Sequence, residues 1–314
     1  GQLSRPINHT HGNGSDHYGH PISLYRAAGG LSMIESRPLA TMISHAILLL
    51  GVAIIAFPVW ITFVAATHDA VRVTQVPFPL LPSDQLLVNL KATLFATQDS
   101  SLDLPIGLMM LNSLVMALTI ALGKISISLL SAFAIVYFRF PFRMFFFWMI
   151  FITLMLPVEV RILPTYEVVA RLNMLNSYWG LTIPLIASAT ATFLFRQTFL
   201  TIPDELLEAA RMDGAGPMRF FFDILLPMSR TSIAALFVIL FIFGWNQYLW
   251  PLLITTDESM YTIVMGIKNL LETAEGDPQW HIIMTTALLA MLPPILIVLL
   301  MQKLFVTGLI EAEK

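Results

Sequence analysis

The stretch EAARMDGAGPMRFFFDILLP, Glu208 to Pro227, is a polar interruption between two long apolar segments of a chain that is hydrophobic almost throughout. Its first part reads as a helix from Pro203 through Met212. Proline suits a first turn, Asp204, Glu205 and Glu208 sit near the positive end of the helix dipole, and Leu207, Ala209 and Ala210 are good helix formers. Asp213 then leads into Gly214 and the Gly216-Pro217 pair, which break that helix. A second short helix is expected beyond them, with Met218, Phe221, Phe222 and Leu225 at helical spacing on one apolar face and Pro227 as its end. The product is a helix, a bend and a helix, held between two membrane-like runs.

The solvent of those runs follows from composition. Of 314 residues, 57% are hydrophobic and only 12% charged, and the mean hydropathy is +0.77, far from an ordinary soluble domain. The chain reads as an integral membrane protein. A bilayer core of about 30 Å needs about 20 apolar residues per helix, and segments of that kind lie near 43–66, 108–132, 143–164, 178–199, 231–254 and 281–304. Backbone groups left unpaired in lipid are too costly for open strands, and these runs are too long and unbroken for alternating barrel strands. The expected fold is all-α, with six transmembrane helices. A net charge of −3 points to neither nucleic acid nor an acidic partner. The absence of cysteine excludes disulfides, thiolate metal sites and cysteine nucleophiles.

Lys and Arg beside the spans set the orientation. With the N-terminus inside, the inner segments hold Arg37, Arg139, Arg143, Arg211, Arg219, Arg230, Lys303 and Lys314, while Arg72, Lys91, Arg161, Arg171 and Lys268 are spread over longer outer loops. Both termini and the Glu208–Pro227 loop are therefore expected in the cytoplasm. Residues 1–32 are a separate, disordered extension with His9, His11, His17 and His20, either a metal-binding tract or an incidental addition. Irregular spacing and the lack of supporting carboxylates favour the addition, so no metal site is expected. Met33 reads as the natural start of a 33–314 membrane domain, with the loop at about 200–228 inside it.

Two loops face outward in this scheme. Residues 67–106 carry Pro77, Pro79, Pro82 and Pro105, and serve either as a docking surface or as a tether. The second, Thr256 to Trp280, has Asp257, Glu258, Glu272, Glu275 and Asp277, an acidity suited to a basic docking patch. No catalytic centre is readable: there is no GxxxxGK[ST] phosphate loop, nucleophile elbow or HExxH, so the chain is not itself an ATPase and is expected not to be an enzyme.

Polar residues within spans are costly and hence functional candidates. Lys124, flanked by Gly123, Ser126 and Ser128, must face a cavity, a partner subunit or a carboxylate, as a structural ion pair or as a substrate contact. Glu159 and Arg161, two residues apart after Pro157, point to different sides of a helix and suit a structural or gating role. In Gly244-Trp245-Asn246-Gln247-Tyr248-Leu249-Trp250-Pro251, the amides of Asn246 and Gln247 and the rings of Tyr248 and Trp250 either line a pore or form an aromatic belt at the outer interface. Arg196 is expected to snorkel to the cytoplasmic interface.

The spaced set Glu208-Ala209-Ala210, Gly214, Ile224 and Leu226-Pro227 resembles the EAA loop of permease subunits of bacterial ABC importers; the plain alternative is an amphipathic connector. The stretches MLNSLVMALTIALGKISISLLSAFAIVYFRFPFR, FFWMIFITLMLPVEVRILPT, ASATATFLFRQTF and FGWNQYLWPLLITT are similar to the carbohydrate-uptake branch, on the side of its glycerol-phosphate permeases, from Met33 to the end. That resemblance implies a heteromeric inner-membrane assembly: this permease, a homologous second permease, two copies of an ATPase subunit that hold the ATP and Mg, and a periplasmic binding protein. It implies sn-glycerol-3-phosphate as cargo, with glycerophosphodiesters in addition, or another sugar or polyol of the same branch. It makes Glu208, Ala209, Ala210, Asp213, Gly214, Met218, Phe221 and Pro227 the set that couples to the ATPase: Glu208 in polar contact with it, Ala209 and Ala210 allowing close approach, Gly214 making the bend, and Met218 and Phe221 anchoring the second helix on the permease. A rival class is a transporter driven by an ion gradient, which calls for inverted repeats and midplane carboxylates, and neither is visible. Another is a polytopic scaffold, against which the loop itself speaks.

Overall fold

The computed structural model describes residues 38–95, 106–153, 156–272 and 278–312. The histidine-bearing extension, the boundary at residue 33, Arg37, Glu275, Asp277 and Lys314 lie outside the described residues. By its own contacts the chain groups into two units, Gly1–Ile54 and Ile55–Lys314. In chain order the helices are α1 (Pro38–Ala66), α2 (Ala70–Thr74), α3 (Leu86–Leu94), α4 (Ile106–Tyr137), α5 (Arg143–Ile152), α6 (Val158–Arg171), α7 (Tyr178–Thr182), α8 (Ala189–Leu200), α9 (Asp204–Met212), α10 (Pro217–Phe220), α11 (Leu226–Met228), α12 (Arg230–Trp245), α13 (Leu249–Ile254), α14 (Ile263–Glu272) and α15 (Trp280–Ala312). No strand occurs among the described residues. The all-α expectation holds.

Three helices contain apolar stretches long enough to cross a bilayer: Thr41–Ala66, Ile106–Tyr137 and Trp280–Gln302. Two bent pairs reach that length only when each is counted as one span: Tyr178–Leu185 with Ala189–Leu200, at 48°, and Pro217–Met228 with Arg230–Trp245, at 73°. The expected third span, 143–164, is instead divided. Helix α5 is only 10 residues long, about 15 Å, half of a hydrocarbon core; α6 starts afresh after Pro157 at its N-cap, where a proline biases the preceding residue away from helix. The spans 178–199 and 231–254 are likewise interrupted, at residues 186–188 and 246–248.

Helix α4 is the axis of the larger unit, packed on α8, α12 and α14. Its buried positions include small residues among the large ones: Ala117, Ala121 and Ala132 are fully buried, as is Ala191 of α8. In lipid, where hydrocarbon offers no hydrophobic drive for helices to associate, such residues let backbones approach closely. Gly244 on α12 takes this furthest, since a Cβ there would stand 2.9 Å from the Cα of Ala117.

Two tryptophans repair what prolines remove. Pro294 lies inside α15 and has no N–H for the carbonyl of Ala290, four residues back. The buried indole of Trp245 donates to that carbonyl at 3.0 Å. Pro184 likewise leaves Gly180 unserved, and the indole of Trp250 donates to the Gly180 carbonyl at 3.1 Å. An orphaned carbonyl in an apolar interior is costly, and a neighbouring helix can satisfy it. Trp245→Phe keeps the ring and deletes the donor. We expect it to destabilise the folded permease by about 1–3 kcal/mol, seen as a lower unfolding midpoint in detergent; an unmoved midpoint would mean that the carbonyl has found another donor.

A polar hub pins the connection between α13 and α14. Asn112 of α4 donates to the carbonyls of Ser259 at 2.8 Å and Tyr261 at 3.0 Å and accepts from the Tyr178 hydroxyl at 2.6 Å. Ser113 accepts from the amide of Ile263 at 2.8 Å. Asn176 accepts from the amides of Thr256 and Asp257 at 2.7 and 3.0 Å. The loop at Thr256–Trp280 is thus anchored at its root.

Candidate functional site

The Glu208–Pro227 loop is built as a helix, a glycine stop and a second helical run. Helix α9 begins after Pro203 with Asp204 and Glu205 in its first turn and ends with Arg211 in its last, a charge order that complements the helix dipole. At its end the amide of Gly214 donates to the Arg211 carbonyl at 3.1 Å and that of Ala215 to the Ala210 carbonyl at 2.9 Å. Gly214 has a φ of +70°. This is the Schellman arrangement, which needs a left-handed residue after the helix and is met most cheaply by glycine. Gly216 then caps α10, and Pro217 takes its first turn.

The faces of the loop divide cleanly. Glu208, Ala209, Asp213 and Gly214 are exposed, whereas Ala210 is buried. Ala210 therefore serves the chain's own packing, because its Cβ points back toward α4 while Glu208 and Ala209 point away. A cavity of about 480 Å³ lies behind it, between Phe133, Tyr137 and Phe138 of the α4 end and Leu207, Ala210 and Phe220 of the loop. Arg139 and Arg211 also line it, and both are exposed.

The second helix differs from the expected apolar face. Phe220, Phe221 and Leu225 are buried, while Met218 and Phe222 are exposed. Phe221 packs at a tilt against Phe133 at 5.0 Å and Phe220 meets Tyr137 edge-on at 5.3 Å, so the seat of the loop is a cluster of rings and excludes Met218. The cause is a π-helical turn over Phe221–Leu225, which advances the register beyond the 3.6-residue period. Nor does Pro227 end the helix. It sits in the first turn of α11, just after the π-turn, and the corner into α12 comes at Ser229.

In the middle of α4, Lys124 is buried at 8% exposure. Its Nζ lies 4.0 Å from the centroid of the Phe243 ring, and Arg161 of α6 lies within electrostatic reach. Among the described side chains no carboxylate pairs with it. Arg161 is exposed; the side chain of Glu159 lies outside the described residues. Phe243, which sequence reading missed, joins Lys124 to the Asn246–Trp250 group: its ring lies under Lys124 and its carbonyl accepts from Gln247 at 3.1 Å. Asn246 is exposed, and Gln247 and Tyr248 are half-buried.

Trp250 departs from both readings of the aromatic run. It is neither pore lining nor an interfacial ring but part of an inner cluster with Met116, Ile120, Val169, Leu181 and Ile254, tied to Gly180 as described. Tyr248 accepts a short hydrogen bond from Lys268, whose ring-face contact with it is 4.7 Å. That bond holds the Lys268 ammonium above its usual range. The Asp257 carboxylate is held below its ordinary range by the side chain and then the amide of Ser259. Arg196 is half-buried, and its guanidinium lies over the Phe147 ring at 4.5 Å, a contact that suits a planar guanidinium. Among the described residues no group of side chains could hold a metal ion.

With this geometry in place, the chain can be set beside known proteins. The family model described as "Binding-protein-dependent transport system inner membrane component" matches residues 124–311. The sn-glycerol-3-phosphate transport system permease protein of Salmonella typhi is 61% identical over 282 residues, 90% of this chain and 100% of its own length. That of Brucella melitensis is 58% identical over the same shares. A crystal structure of a bacterial ABC transporter involved in import of the acidic polysaccharide alginate aligns with a TM-score of 0.73 at 16% identity, covering 87% of this chain and 99% of the other. At that identity the likeness speaks for the fold alone.

Proposed function

We propose a function from one premise: the chain belongs to the family of binding-protein-dependent transport system inner membrane components. It is a permease subunit of an ATP-driven importer of sn-glycerol-3-phosphate. The carrying observation is near-complete coverage, at 61% and 58% identity, of relatives whose names state that cargo. Glycerophosphodiesters extend the cargo class, since they share the glycerol and an anionic phosphate.

The chain lies in the bacterial inner membrane with both termini and the Glu208–Pro227 loop in the cytoplasm. It pairs with a homologous second permease, two ATPase subunits that supply ATP and Mg, and a periplasmic binding protein that releases cargo into the opened pathway. The exposed edge of α9, with Glu208, Ala209, Asp213 and Gly214, seats in the ATPase. Phe220, Phe221 and Leu225 hold the other side of the loop in the permease core. When the ATPases close, the loop is displaced, and because Ser229 turns directly into α12 the displacement passes into the membrane as rigid-body rocking. Lys124, Asn246, Gln247 and Tyr248 supply donors to an anionic cargo along the path.

The test is uptake by the reconstituted four-component importer in vesicles. Labelled glycerol-3-phosphate should accumulate only with ATP inside, loaded binding protein outside and this chain present, and vanadate should stop it. Uptake driven by an ion gradient without the ATPase would instead favour a secondary transporter. ATP-driven uptake of a neutral sugar in place of the phosphate ester would move the cargo elsewhere in the branch.

A further inference from the structure

We propose that Lys124 and Arg161 form the site in this permease that takes the phosphate of the cargo, with the Phe243 ring as the resting place of the Lys124 ammonium between cargo molecules. The inference rests on the reading of the chain as a permease for a phosphorylated glycerol, and it assigns the residues that recognise the charge.

Lys124 stands 18 residues into a 32-residue helix, about 27 Å from its start and about 20 Å from its end at 1.5 Å per residue, in the middle part of an apolar helix long enough to cross a bilayer. An ammonium buried there is expensive unless something compensates it. What compensates it is a ring face. A ring quadrupole stabilises a cation modestly and leaves its full positive charge uncancelled. A structural lysine would be expected to meet a carboxylate, and none pairs with it among the described side chains. Arg161 adds a second positive charge within its electrostatic reach, and repulsion between the two works against the fold. A buried cation that rests on a ring, with a second cation of α6 within its electrostatic reach, suits a ligand of opposite sign that is present part of the time.

A phosphate monoester carries close to two negative charges at neutral pH, matching that pair. The two side chains divide the task. The Arg161 guanidinium is exposed and offers a planar fork for two phosphate oxygens, whereas the Lys124 ammonium is a compact charge on a flexible stem. Swinging from the ring to a phosphate oxygen exchanges a weak contact for a charge-assisted one, and swinging back when the cargo leaves avoids a bare buried charge. A fixed carboxylate in place of Phe243 would compete with the cargo. Beside the ring, the exposed amide of Asn246 and the half-buried amide of Gln247 are placed for the hydroxyls of the glycerol. Arg161 thus belongs to recognition, whereas its place in the sequence suggested a gating or structural role.

The experiment uses the complete importer in vesicles, with saturating binding protein loaded with labelled glycerol-3-phosphate. Lys124→Gln and Arg161→Gln should each lower uptake about tenfold or more, the loss expected for one charge-assisted contact, while the complex still elutes intact from a sizing column. Lys124→Arg, which keeps the charge, should recover most of the rate. Wild-type uptake by the doubly neutral variant overturns the proposal. So does loss of the assembled complex in Lys124→Gln combined with normal uptake in Arg161→Gln, which would make the lysine an ion-pair partner of a neighbouring subunit. A wild-type importer that carries another carbohydrate but no glycerol-3-phosphate overturns the cargo reading and this site with it.

Discussion

Gly214→Pro is expected to abolish ATP-driven uptake, as is Glu208→Lys, by at least about a hundredfold, the equivalent of roughly 3 kcal/mol. Gly214 stands at a φ of +70°, while proline is confined near −65° and lacks the N–H that Gly214 donates to Arg211. The stop of α9 cannot form, and the exposed edge carrying Glu208 and Ala209 loses its fixed direction. Glu208→Lys leaves the geometry alone and reverses a charge at the proposed ATPase contact, where such changes cost several kcal/mol. Gly214→Ala separates the two effects. A Cβ there meets nothing within 4 Å, so only the cost of a left-handed alanine remains, about 1 kcal/mol, and uptake should fall only severalfold. The measurement is uptake together with ATPase stimulation by the loaded binding protein. Full coupling in Gly214→Pro and Glu208→Lys would remove the loop from the transmission path.

Gly244→Val should prevent the permease from accumulating in folded form. The α4–α12 contact runs through Gly244 and Ala117, and an added Cβ would lie 2.9 Å from the Ala117 Cα and 3.4 Å from its Cβ. These are backbone and near-backbone atoms, so no rotamer change relieves the overlap, and the helices must part. Parting them also draws Trp245 away from the Ala290 carbonyl. Overpacking of this kind costs about 1–3 kcal/mol, and the lost hydrogen bond adds a buried, unserved carbonyl. Gly244→Ala should be intermediate. Membrane-inserted yield and the unfolding midpoint in detergent report both; a wild-type midpoint for Gly244→Ala would show that the two helices can separate by a few tenths of an ångström without cost.

Hydrophobic run length and the cost of bare backbone in lipid made the membrane class and the all-α fold legible. The stop of α9 was legible for a different reason: Gly214 and Gly216-Pro217 are local conformational signals, and the structure uses each of them as such. Legibility failed where the backbone departs from a uniform period. Met218 and Phe222 belong to an apolar face only if the helix keeps 3.6 residues per turn, and the π-turn at Phe221–Leu225 hands the buried positions to Phe220, Phe221 and Leu225. The span at 143–164 failed because hydropathy averages over Pro157 and cannot see that α5 ends near Ile152.

Aromatic residues near polar ones were ambiguous for a further reason. Trp245 and Trp250 lie five residues apart in one motif, and nothing local says that each indole serves a carbonyl freed by a proline 49 or 66 residues away in sequence. Phe243 carried no signal at all, since a phenylalanine in an apolar helix is ordinary until a lysine from another helix lies on its face.

What the sequence by itself determined is therefore what depends on composition and on neighbours in the chain: a helical membrane protein, the loop at Glu208–Pro227, and the glycine that ends its first helix. Only the tertiary structure decided which side of that loop is free, with Glu208 and Ala209 outward and Ala210 inward. It alone set Lys124 over Phe243 and within electrostatic reach of Arg161. Those relations join residues far apart in sequence across packed helices, where close backbone approach and the need to satisfy buried polar groups select the partners.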